Sequence, residues 1–416
     1  MTTNIDIILK EFERFGVDLG LDRINRLLAD LGNPQERVPI IHVAGTNGKG
    51  SVCAYLAAIL TQAGYRVGRY TSPHLVDWTE RICFNEQPIA PEELENILRE
   101  IKNAISPYVP SPTQFEVITA AAWLYFAQKQ VDIAVMEVGL GGRLDATNVC
   151  AQPLVTIITS ISWEHWQRLG PTLAHIAREK AGILKPQRPA IVGQLPPEAM
   201  AVVKQRIADL DCPAWFPPPA IDLETKARYG ELEYPLPLPG KAQLGNSTLA
   251  IEAIRVLQKQ GWQIADADIV AGMAKTKWPG RLQWVTLYNQ SLLVDGAHNG
   301  AAAEVLRQYV DTLSPKTTTW VMGMLSTKDH EGIFRALLRP GDSLYLVPVP
   351  DHSTAAPEEL RVLAANICPG LAATCCPDLQ TALEKALLGE AASDKLTVLC
   401  GSLYLLGHFF ANHSKI

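Results

Sequence analysis

The sequence has no long apolar run, and we expect no secretory leader. No stretch approaches the roughly 18 consecutive apolar residues that a membrane-spanning helix needs. The first residues, MTTNIDIILKEFERFG, are mixed and charged, without the apolar segment of a signal peptide. None of the eight cysteines forms a C-x-x-C pair, so a zinc site or a redox motif is not favoured. We therefore expect a cytoplasmic protein whose thiols are reduced and mostly buried.

The sequence also lacks an excess of positive charge. Its formal net charge is −6 and its pI is about 5.9. This balance does not favour general binding to nucleic acid or to anionic membranes, so an anionic ligand must be met by local positive charge. Apolar residues make up 47% of the sequence, which is typical of a globular protein. A chain of 416 residues is too long for one ordinary core. We expect a monomer of two domains that acts on small molecules.

Short β-rich runs alternate with helical patterns, which predicts βαβ units and parallel sheets. In the first half, the predicted strands are VPIIHVAG (38–45), YRVGRYTS (65–72), VDIAVMEVG (131–139) and PLVTIITSI (153–161), with helices over 51–64, 113–130, 171–184 and 244–261. A second series has strands in SLLVDGAH, TTTWVMGM, DSLYLVPV and KLTVLCGS, with helices over 300–312, 328–338, 355–366 and 377–388. Proline-rich residues 213–240 predict a peripheral hairpin on the first domain.

The expected fold class is therefore α/β with two domains. The first is a mononucleotide-binding α/β domain over residues 1–284, and the second is a Rossmann-like α/β domain over residues 285–416. We place the boundary near WPGRLQWV (278–285), and the length of the second series is an ordinary domain size. No internal repeat or low-complexity segment interrupts the chain.

HVAGTNGKGSV (42–52) is the strongest chemical signal in the sequence. A predicted strand enters this loop and a predicted helix leaves it, which places backbone N–H groups at a helix N-terminus, where an anion is stabilised. The glycines allow close approach of the backbone to a phosphate, Lys49 adds a mobile positive charge, and Ser51 adds a hydroxyl. The spacing differs from the common G-x-x-x-x-G-K-[ST] loop. The alternative is a glycine turn with a surface lysine.

The spacing GTNGK, followed by Gly and Ser, resembles the ATP loop of the Mur ligase superfamily, and in its GKGS form the branch of dihydrofolate synthase/folylpolyglutamate synthase. Further stretches carry the resemblance in order: DLGLDR (18–23), TSPHL (71–75), TQFE (113–116), EVGLGGRLDATN (137–148), HWQRLG (165–170), REKAGILK (178–185), WPGRL (278–282), DGAHN (295–299), GMLSTKD (323–329) and CGSLYLLGHF (400–409). The resemblance spans both predicted domains and implies that the first is of the Mur ligase central-domain type.

The resemblance implies an ATP-dependent ligase of folate metabolism. Such an enzyme adds L-glutamate to dihydropteroate, forming dihydrofolate, and to the γ-carboxyl of tetrahydrofolate, through an acyl phosphate. DLGLDR and TQFE resemble segments that bind dihydropteroate, so we favour both activities. One alternative is a Mur-type ligase acting on a cell-wall precursor, although no UDP-binding domain precedes the loop in this sequence. Another is a non-catalytic nucleotide-binding protein that keeps only the fold.

The resemblance also implies site residues. Those for ATP are Gly45, Thr46, Asn47, Gly48, Lys49, Gly50, Ser51, Asn246, Arg281, Asp295 and His298. Those for Mg²⁺ are Ser72, Glu137 and His165, each expected at or beyond the carboxyl end of a parallel strand. Lys49, His165 and Lys180 are the expected catalytic residues, with Lys180 carbamylated so that it can help to hold a second divalent ion; K⁺ is a further possible cofactor. Taken singly, each could be structural, and Lys180 could be an ordinary solvated helix lysine.

The pterin site implied by the resemblance comprises Asp18, Leu19, Gly20, Leu21, Thr113, Gln114, Phe115, Glu116, Leu144, Asp145 and Ala146. In it Phe115 offers a stacking face and Asp145 a hydrogen-bond acceptor, although Phe115 could equally be a core residue. Two positions depart from the family pattern. Glu164 stands where Asp usually precedes the metal histidine, and Gly300 stands where Pro often follows DGAHN. The longer arm of Glu164 puts the geometry around His165 in question, whereas Gly300 should only loosen a helix start.

Overall fold

The computed structural model describes residues 3–13, 18–105, 110–389 and 395–413. The chain forms two compact units. The first unit runs to Pro237 and resumes over Gln243–Lys277, and the second comprises Leu238–Ala242 and the chain from Trp278 onwards. Each unit is built on a mainly parallel sheet with helices, so the predicted α/β fold class is confirmed. The predicted division after residue 284 stays a prediction.

The first unit has an eight-stranded sheet in the order β4-β3-β2-β5-β1-β6-β7-β8. Its strands are β1 (Ile40–Ala44), β2 (Val67–Tyr70), β3 (Ile82–Phe84), β4 (Gln87–Pro88), β5 (Ile133–Glu137), β6 (Val155–Ile158), β7 (Ala190–Val192) and β8 (Ala214–Trp215). Only the pairs involving β3 are antiparallel. The loop strand β1 is central, paired in parallel with β5 and β6. Segments that follow β1, β5 and β6 therefore meet at one edge of the sheet.

The described residues up to Lys275 form ten α-helices. They are α1 (Asn4–Lys10), α2 (Asp22–Asp30), α3 (Lys49–Gln62), α4 (Pro91–Ala104), α5 (Gln114–Gln128), α6 (Trp166–Leu169), α7 (Leu173–Ala181), α8 (Pro197–Asp209), α9 (Ala242–Lys259) and α10 (Asp266–Lys275). Helix α3 is apolar on all sides, which is the pattern of a buried helix. Gly272 of α10 lies against the backbone of Ile59, where a Cβ would come within 2.5 Å of its Cα, so α10 packs closely on α3.

The proline-rich segment forms a small antiparallel sheet, β9 (Ile221–Asp222), β10 (Ala227–Tyr229) and β11 (Leu232–Tyr234). The hairpin predicted in this region is β10–β11, and β9 adds a third strand. The sheet belongs to the first unit, as predicted. Tyr234 ties it to α9, because its hydroxyl lies 2.7 Å from Ser247 Oγ.

The second unit has a six-stranded sheet in the order β12-β13-β17-β14-β15-β16. Its strands are β12 (Gln283–Leu287), β13 (Gln290–Val294), β14 (Thr317–Met322), β15 (Ser343–Leu346), β16 (Ala372–Cys375) and β17 (Lys395–Cys400). Its helices are α11 (Gly300–Thr312), α12 (His330–Leu337), α13 (Pro357–Ile367), α14 (Leu379–Leu388) and α15 (Leu403–Asn412). Only β12–β13 is antiparallel. Among the helices of the described segments, none is long and apolar enough to cross a membrane.

Candidate active site

The glycine-rich loop connects β1 to α3, as the sequence predicts. Helix α3 begins at Lys49 after Gly48, and no side chain caps its first turn. Gly48 has a φ of 86°, and a Cβ on Gly45 would lie 1.9 Å from Thr159 Oγ1, so both positions require glycine. Backbone amides of a helix start are thus presented without a side-chain acceptor, which is the arrangement that stabilises a phosphate.

The loop is fixed to the segment that follows β6. Thr46 N donates to Ser160 O (2.7 Å), and Asn47 N donates to Ser160 Oγ (3.0 Å). The Thr46 hydroxyl donates to Ser162 O (3.3 Å) and accepts from Ser162 N (3.0 Å), and Thr159 Oγ1 donates to Asn47 O (2.7 Å). These bonds give the loop its shape before any ligand binds. Sequence reasoning missed the segment; its signal was a Ser/Thr-rich stretch directly after a buried strand.

Lys49, Glu137 and Ser72 come together beside this loop. Lys49 Nζ donates to Thr46 O (3.1 Å) and lies 4.0 Å from Glu137 Oε1. Glu137 ends β5, is 5% exposed, and accepts a hydrogen bond from Ser72 N at 3.2 Å. Ser72 follows β2 by two residues, so both groups lie at the predicted edge of the sheet. The cluster therefore places the Glu137 carboxylate between the Ser72 backbone and a cation that can neutralise phosphate.

His165 lies further along the chain than a strand-end residue, seven positions after the last residue of β6, Ile158. It adopts the left-handed region (φ 53°) just before α6, is exposed, and has Nε2 3.8 Å from Glu164 Oε1. Within the described residues, no three His, Cys, Asp or Glu side chains form a ready-made metal cluster. The donors present nevertheless suit Mg²⁺, which binds through one or two carboxylates, hydroxyls, waters and substrate phosphates.

Lys180 is buried rather than solvated. It lies on α7, is 6% exposed, and its Nζ donates to Gly45 O at 2.7 Å. Burial, together with the positive charge of Lys49, lowers its pKa to about 7, while the carboxylates of Glu164 and Asp145 oppose the shift. The amine is therefore part of the phosphate-loop cluster, and the reading of Lys180 as a solvated helix lysine is wrong. Glu164, the departure from the family pattern, is 9% exposed and acts on this amine.

The segments predicted for pterin binding also come together. Arg23 joins them, with Nη1 2.8 Å from Asp18 Oδ2 and Nε 3.1 Å from Glu116 Oε2. Glu116 closes a capping box with Thr113 at the start of α5. Of the remaining predicted residues, Leu19, Gly20, Leu21, Gln114, Phe115 and Leu144 are half-buried, and Ala146 is buried. The ring of Phe115 lies against Gly139, where a Cβ would come within 2.4 Å of it, and 6.3 Å from the ring of Tyr70.

Asp145 is held entirely by its own loop. Oδ1 accepts from the amide (3.0 Å) and hydroxyl (2.6 Å) of Thr147, and Oδ2 accepts from Leu140 N (2.8 Å). A buried histidine extends this network, because His42 Nε2 lies 2.8 Å from the Thr147 hydroxyl. Burial lowers the pKa of His42 to about 3, so the ring is neutral and donates from Nε2 to a hydroxyl that donates onward. Sequence reasoning missed His42, whose signal was a polar residue inside an apolar strand.

Asn246 reaches the phosphate loop from α9. Its Oδ1 is the nearest atom to Gly48, where a Cβ would lie within 2.5 Å of it. Its Nδ2 donates to Gln243 Oε1 (3.1 Å), and Gln243 Nε2 donates to Ser51 Oγ (3.3 Å). The start of α9 therefore packs against the beginning of α3. Asn246, which is predicted to bind the nucleotide, therefore lies where it can act on the phosphate loop.

Arg281, which precedes β12, lies close to the segment after β13 that carries Asp295 and His298 in the second unit. Asp295 is 8% exposed; Oδ2 accepts from Leu282 N (2.9 Å) and Oδ1 from Ala297 N (2.8 Å). Burial raises the pKa of Asp295, and the Arg281 cation opposes the shift. His298 Nδ1 lies 2.7 Å from Gly296 O. Helix α11 begins at Gly300 and is capped by Asn299, which accepts from Ala302 N (2.9 Å), so the missing proline leaves a stabilised helix start.

Two family models match the chain: the Mur ligase middle domain over residues 43–210, and the C-terminal domain of dihydrofolate synthetase over residues 281–411. Dihydrofolate synthetase of Saccharomyces cerevisiae is 35% identical and covers 96% of this chain and 99% of its own. Dihydrofolate synthase/folylpolyglutamate synthase of Escherichia coli is also 35% identical, over 94% of this chain and 90% of its own.

Solved structures match the whole fold. E. coli FolC in complex with DHPP and ADP has a TM-score of 0.87 at 31% identity, covering 99% of this chain and 98% of that chain. The bifunctional folylpolyglutamate synthase/dihydrofolate synthase of Yersinia pestis, complexed with AMPPNP and Mn ion, has a TM-score of 0.84 at 30% identity, covering 98% and 97%. Both relatives bind an adenine nucleotide, and the second also binds a divalent metal.

Proposed function

The chain belongs to the dihydrofolate synthase/folylpolyglutamate synthase family of ATP-dependent ligases, and from this membership we propose that it adds L-glutamate to dihydropteroate and to the γ-carboxyl of tetrahydrofolate. The observation that carries the proposal is the phosphate loop of the first unit, with Lys49 and Glu137 beside it and Lys180 buried against Gly45. The Mur-type alternative has no such support, because the full-length relatives named above are folate enzymes.

The chemistry requires activation of a carboxylate. An oxygen of the folate carboxylate attacks the γ-phosphorus of ATP; the bond to the β,γ-bridging oxygen breaks, ADP leaves, and an acyl phosphate remains. The amine of glutamate then attacks the acyl carbon, loses a proton, and displaces inorganic phosphate. Phosphoryl transfer depends on positioning and on neutralising charge. Lys49 and the amides of residues 48–51 supply both at the start of α3, because the amides of Thr46 and Asn47 already donate to Ser160.

We assign Mg²⁺ to Ser72, Glu137 and His165. Support comes from the 3.2 Å contact between Ser72 N and Glu137 and from the manganese of the Y. pestis relative. When bound, the ion would supply positive charge that neutralises the phosphates of ATP. The proposal also includes a second divalent ion and K⁺. Gly45 to Ser51, Asn246, Arg281, Asp295 and His298 are assigned to ATP.

Lys180 is proposed to carry a carbamate. A neutral amine is the species that captures carbon dioxide, and a pKa near 7 makes a large fraction of Lys180 neutral at physiological pH. Capture replaces a cation with an anion next to Lys49, whose charge lowers the pKa of the Lys180 amine. The carbamate keeps one N–H on Nζ, so the hydrogen bond to Gly45 O can be retained.

The pterin is assigned to Asp18–Leu21, Thr113–Glu116 and Leu144–Ala146. Phe115 keeps its proposed stacking role, because its half-buried ring is packed against a glycine on one side. Asp145 acts mainly by shaping its loop, since Oδ1 already accepts two hydrogen bonds and Oδ2 one from Leu140 N. The free thiols of the described cysteines fit a reducing compartment such as the cytoplasm, and we expect a monomer.

Release of ADP tests the proposed function. Purified protein is supplied with ATP, Mg²⁺ and glutamate, and then with dihydropteroate, tetrahydrofolate or a UDP-linked cell-wall precursor. We expect ADP release with both folate substrates, dependent on glutamate, and none with the UDP-linked compound. Activity only with the UDP-linked precursor would contradict the proposal, and nucleotide binding without any turnover would support a non-catalytic protein.

A further inference from the structure

Two tryptophans form an exposed aromatic face next to His165. Trp163 and Trp166 stack with ring centroids 5.7 Å apart and an interplanar angle of 20°. Trp163 is 40% exposed and Trp166 is half-buried. Large aromatic residues are highly buried on average, so an exposed stacked pair needs an explanation. We refer to Trp163 and Trp166 as the tryptophan platform.

The platform is attached to the phosphate loop. Trp163 directly follows Ser162, whose N–H and C=O both bond to the Thr46 hydroxyl. The next residue, Glu164, is buried and its charge acts on the Lys180 amine. Successive residues therefore alternate, with Glu164 directed into the charged cluster while Trp163 and His165 are exposed. Two bonds to Thr46 leave little freedom for the platform to move away from the loop.

A glycine-rich turn connects the platform to the predicted pterin pocket. Gly139 packs on the ring of Phe115, and a Cβ on Gly141 would lie 3.0 Å from Leu169 Cδ2, at the end of the short helix that Trp166 begins. A ligand that starts at Phe115 and passes over these glycines therefore arrives at the short helix α6, which begins with Trp166. The whole path lies within the first unit.

The chemistry of the two folate substrates differs at this point. In dihydropteroate, the reacting carboxyl is bonded directly to a benzene ring, so the ring must lie beside the phosphate loop when the carboxylate attacks ATP. In tetrahydrofolate, the reacting γ-carboxyl is at the end of a flexible glutamyl chain, so the same ring lies several bonds further away. An aromatic face next to the loop can contact the ring of the first substrate in its reactive position, and not that of the second.

We propose that the tryptophan platform binds the p-aminobenzoyl ring of dihydropteroate and thereby determines selectivity for addition of the first glutamate. This inference rests on the proposed function. A flat ring buries surface area and finds favourable ring–ring geometry against the two stacked indoles. Because the carboxylate is attached in the plane of the ring, holding the ring also holds the carboxylate. Selectivity then arises from ground-state and transition-state contacts to the ring, without a charged residue.

The experiment compares Trp163→Ala with Trp163→Phe, and uses Trp284→Ala as the matched control. Trp284 is 44% exposed and lies on β12, in the second unit, whereas the platform belongs to the first. For Trp163→Ala we expect KM for dihydropteroate to rise about tenfold, the size of one lost aromatic stacking contact, with KM for ATP and for tetrahydrofolate unchanged. Trp163→Phe should recover most of the loss, and Trp284→Ala should behave as the wild type.

Two failures can be told apart. If the wild type releases no ADP with dihydropteroate and glutamate, the proposed function fails and the inference falls with it. If the wild type is active but Trp163→Ala is unchanged, or loses equally on both folate substrates, only the assignment of the platform is overturned. A fall in kcat that Trp163→Phe does not rescue also overturns it, since that result indicates a structural role. Because Trp163 is exposed, Trp163→Gln provides a second variant should alanine impair folding.

Discussion

The carboxyl edges of the two parallel sheets use buried charge differently. In the first unit, Lys49 Nζ lies 4.0 Å from Glu137 Oε1, which is a loose ion pair. Lys180 is buried, and the positive charge of Lys49 disfavours a positive charge on the Lys180 amine. In the second unit, both oxygens of Asp295 accept backbone N–H groups, so its charge shapes a loop. The first edge is electrostatically unfavourable until an anion arrives, whereas the second is satisfied by itself. We therefore expect substitutions at the first edge to affect turnover more than stability. Substitutions at the second edge should affect stability more than turnover.

The largest effect is expected at Lys180. Lys180→Ala should be nearly inactive, because it removes both the donor to Gly45 O and the amine that would capture carbon dioxide. Acetate or formate should partly restore turnover by supplying a carboxylate in the vacated space. Intact-protein mass spectrometry under non-acidic conditions should find an adduct of the mass of carbon dioxide on the wild type and not on the variant. A fully active Lys180→Ala protein would break the contrast between the two edges.

The pH dependence of this adduct sharpens the same point. Only the neutral amine reacts, so with dissolved carbon dioxide held constant, carbamylation of Lys180 should rise as pH increases through about 7. A solvated lysine would show the rise only near its ordinary pKa of 10.5. The measurement is the adduct fraction of metal-loaded protein against pH. A midpoint in the alkaline range would mean that burial does not set the reactivity of Lys180.

Lys49 ranks next. Lys49→Ala should lower kcat by about 10²-fold or more, comparable to the loss of one preorganised electrostatic group. The reason is that its Nζ lies between the loop carbonyl of Thr46 and Glu137, where it can neutralise the transferring phosphoryl group. Lys275→Ala is a suitable control, because Lys275 is a surface lysine of the same unit that bonds to Gln62. Near-normal turnover of a folded Lys49→Ala protein would reject the assignment.

The proposed magnesium ligands should change the metal requirement. Glu137→Gln keeps the shape of the side chain and removes its charge, so the Mg²⁺ concentration for half-maximal activity should rise by at least about tenfold. His165→Ala should act in the same direction, and the glutamate requirement should change less in both. Magnesium titrations at saturating ATP provide the measurement. If neither titration moves, the metal lies elsewhere on this edge.

The smallest kinetic effect is expected at Phe115. Phe115→Ala should impair dihydrofolate synthesis about three- to tenfold, and affect addition to tetrahydrofolate less, because it removes one face of the pterin pocket. The ring also packs against Gly139, so thermal unfolding of the variant must be measured alongside. Equal loss on both substrates would indicate a packing role and remove the reason to assign two modes of pterin binding.

Asp295 tests whether the carboxyl edge of the second sheet contributes mainly to stability. Asp295→Asn places an N–H donor opposite Leu282 N or Ala297 N, which costs about 1–3 kcal/mol for an unsatisfied buried group. We expect a lower midpoint of thermal unfolding of the second unit and only a modest change in KM for ATP. A large fall in kcat at unchanged stability would show that the second edge, like the first, uses its charge in the reaction.

Much of this arrangement could be predicted from local sequence. The apolar run of β1, the glycines after it and the helix that follows identify the phosphate loop, since all three signals lie within 25 residues of one another. The strand ends carrying Ser72 and Glu137 follow from the same βαβ pattern. In the second unit, helix α11 was predicted with its observed bounds, because a helical period and a capping Asn299 coincide.

Other features depend on distant contacts that no local pattern records. The bonds from Ser160 and Ser162 to Thr46 and Asn47 join residues more than a hundred positions apart, so the rigidity of the loop could not be anticipated. Burial of Lys180 depends on α7 packing against the loop, while its own helix has an ordinary mixture of residues. Strand β16 was not predicted, because its AATC sequence is short and half-exposed.

The burial of Lys180 also has a consequence for how this fold tolerates change. A lysine with a pKa near 7 in the folded protein and 10.5 unfolded binds fewer protons when folded between these values, so it makes stability rise with pH across that window and imposes its full penalty below about 7. Lys180→Met should therefore give a more heat-resistant protein near pH 6, while removing the reactive amine. Selection for thermostability alone would enrich inactive variants at this position, and only selection for turnover would retain the lysine.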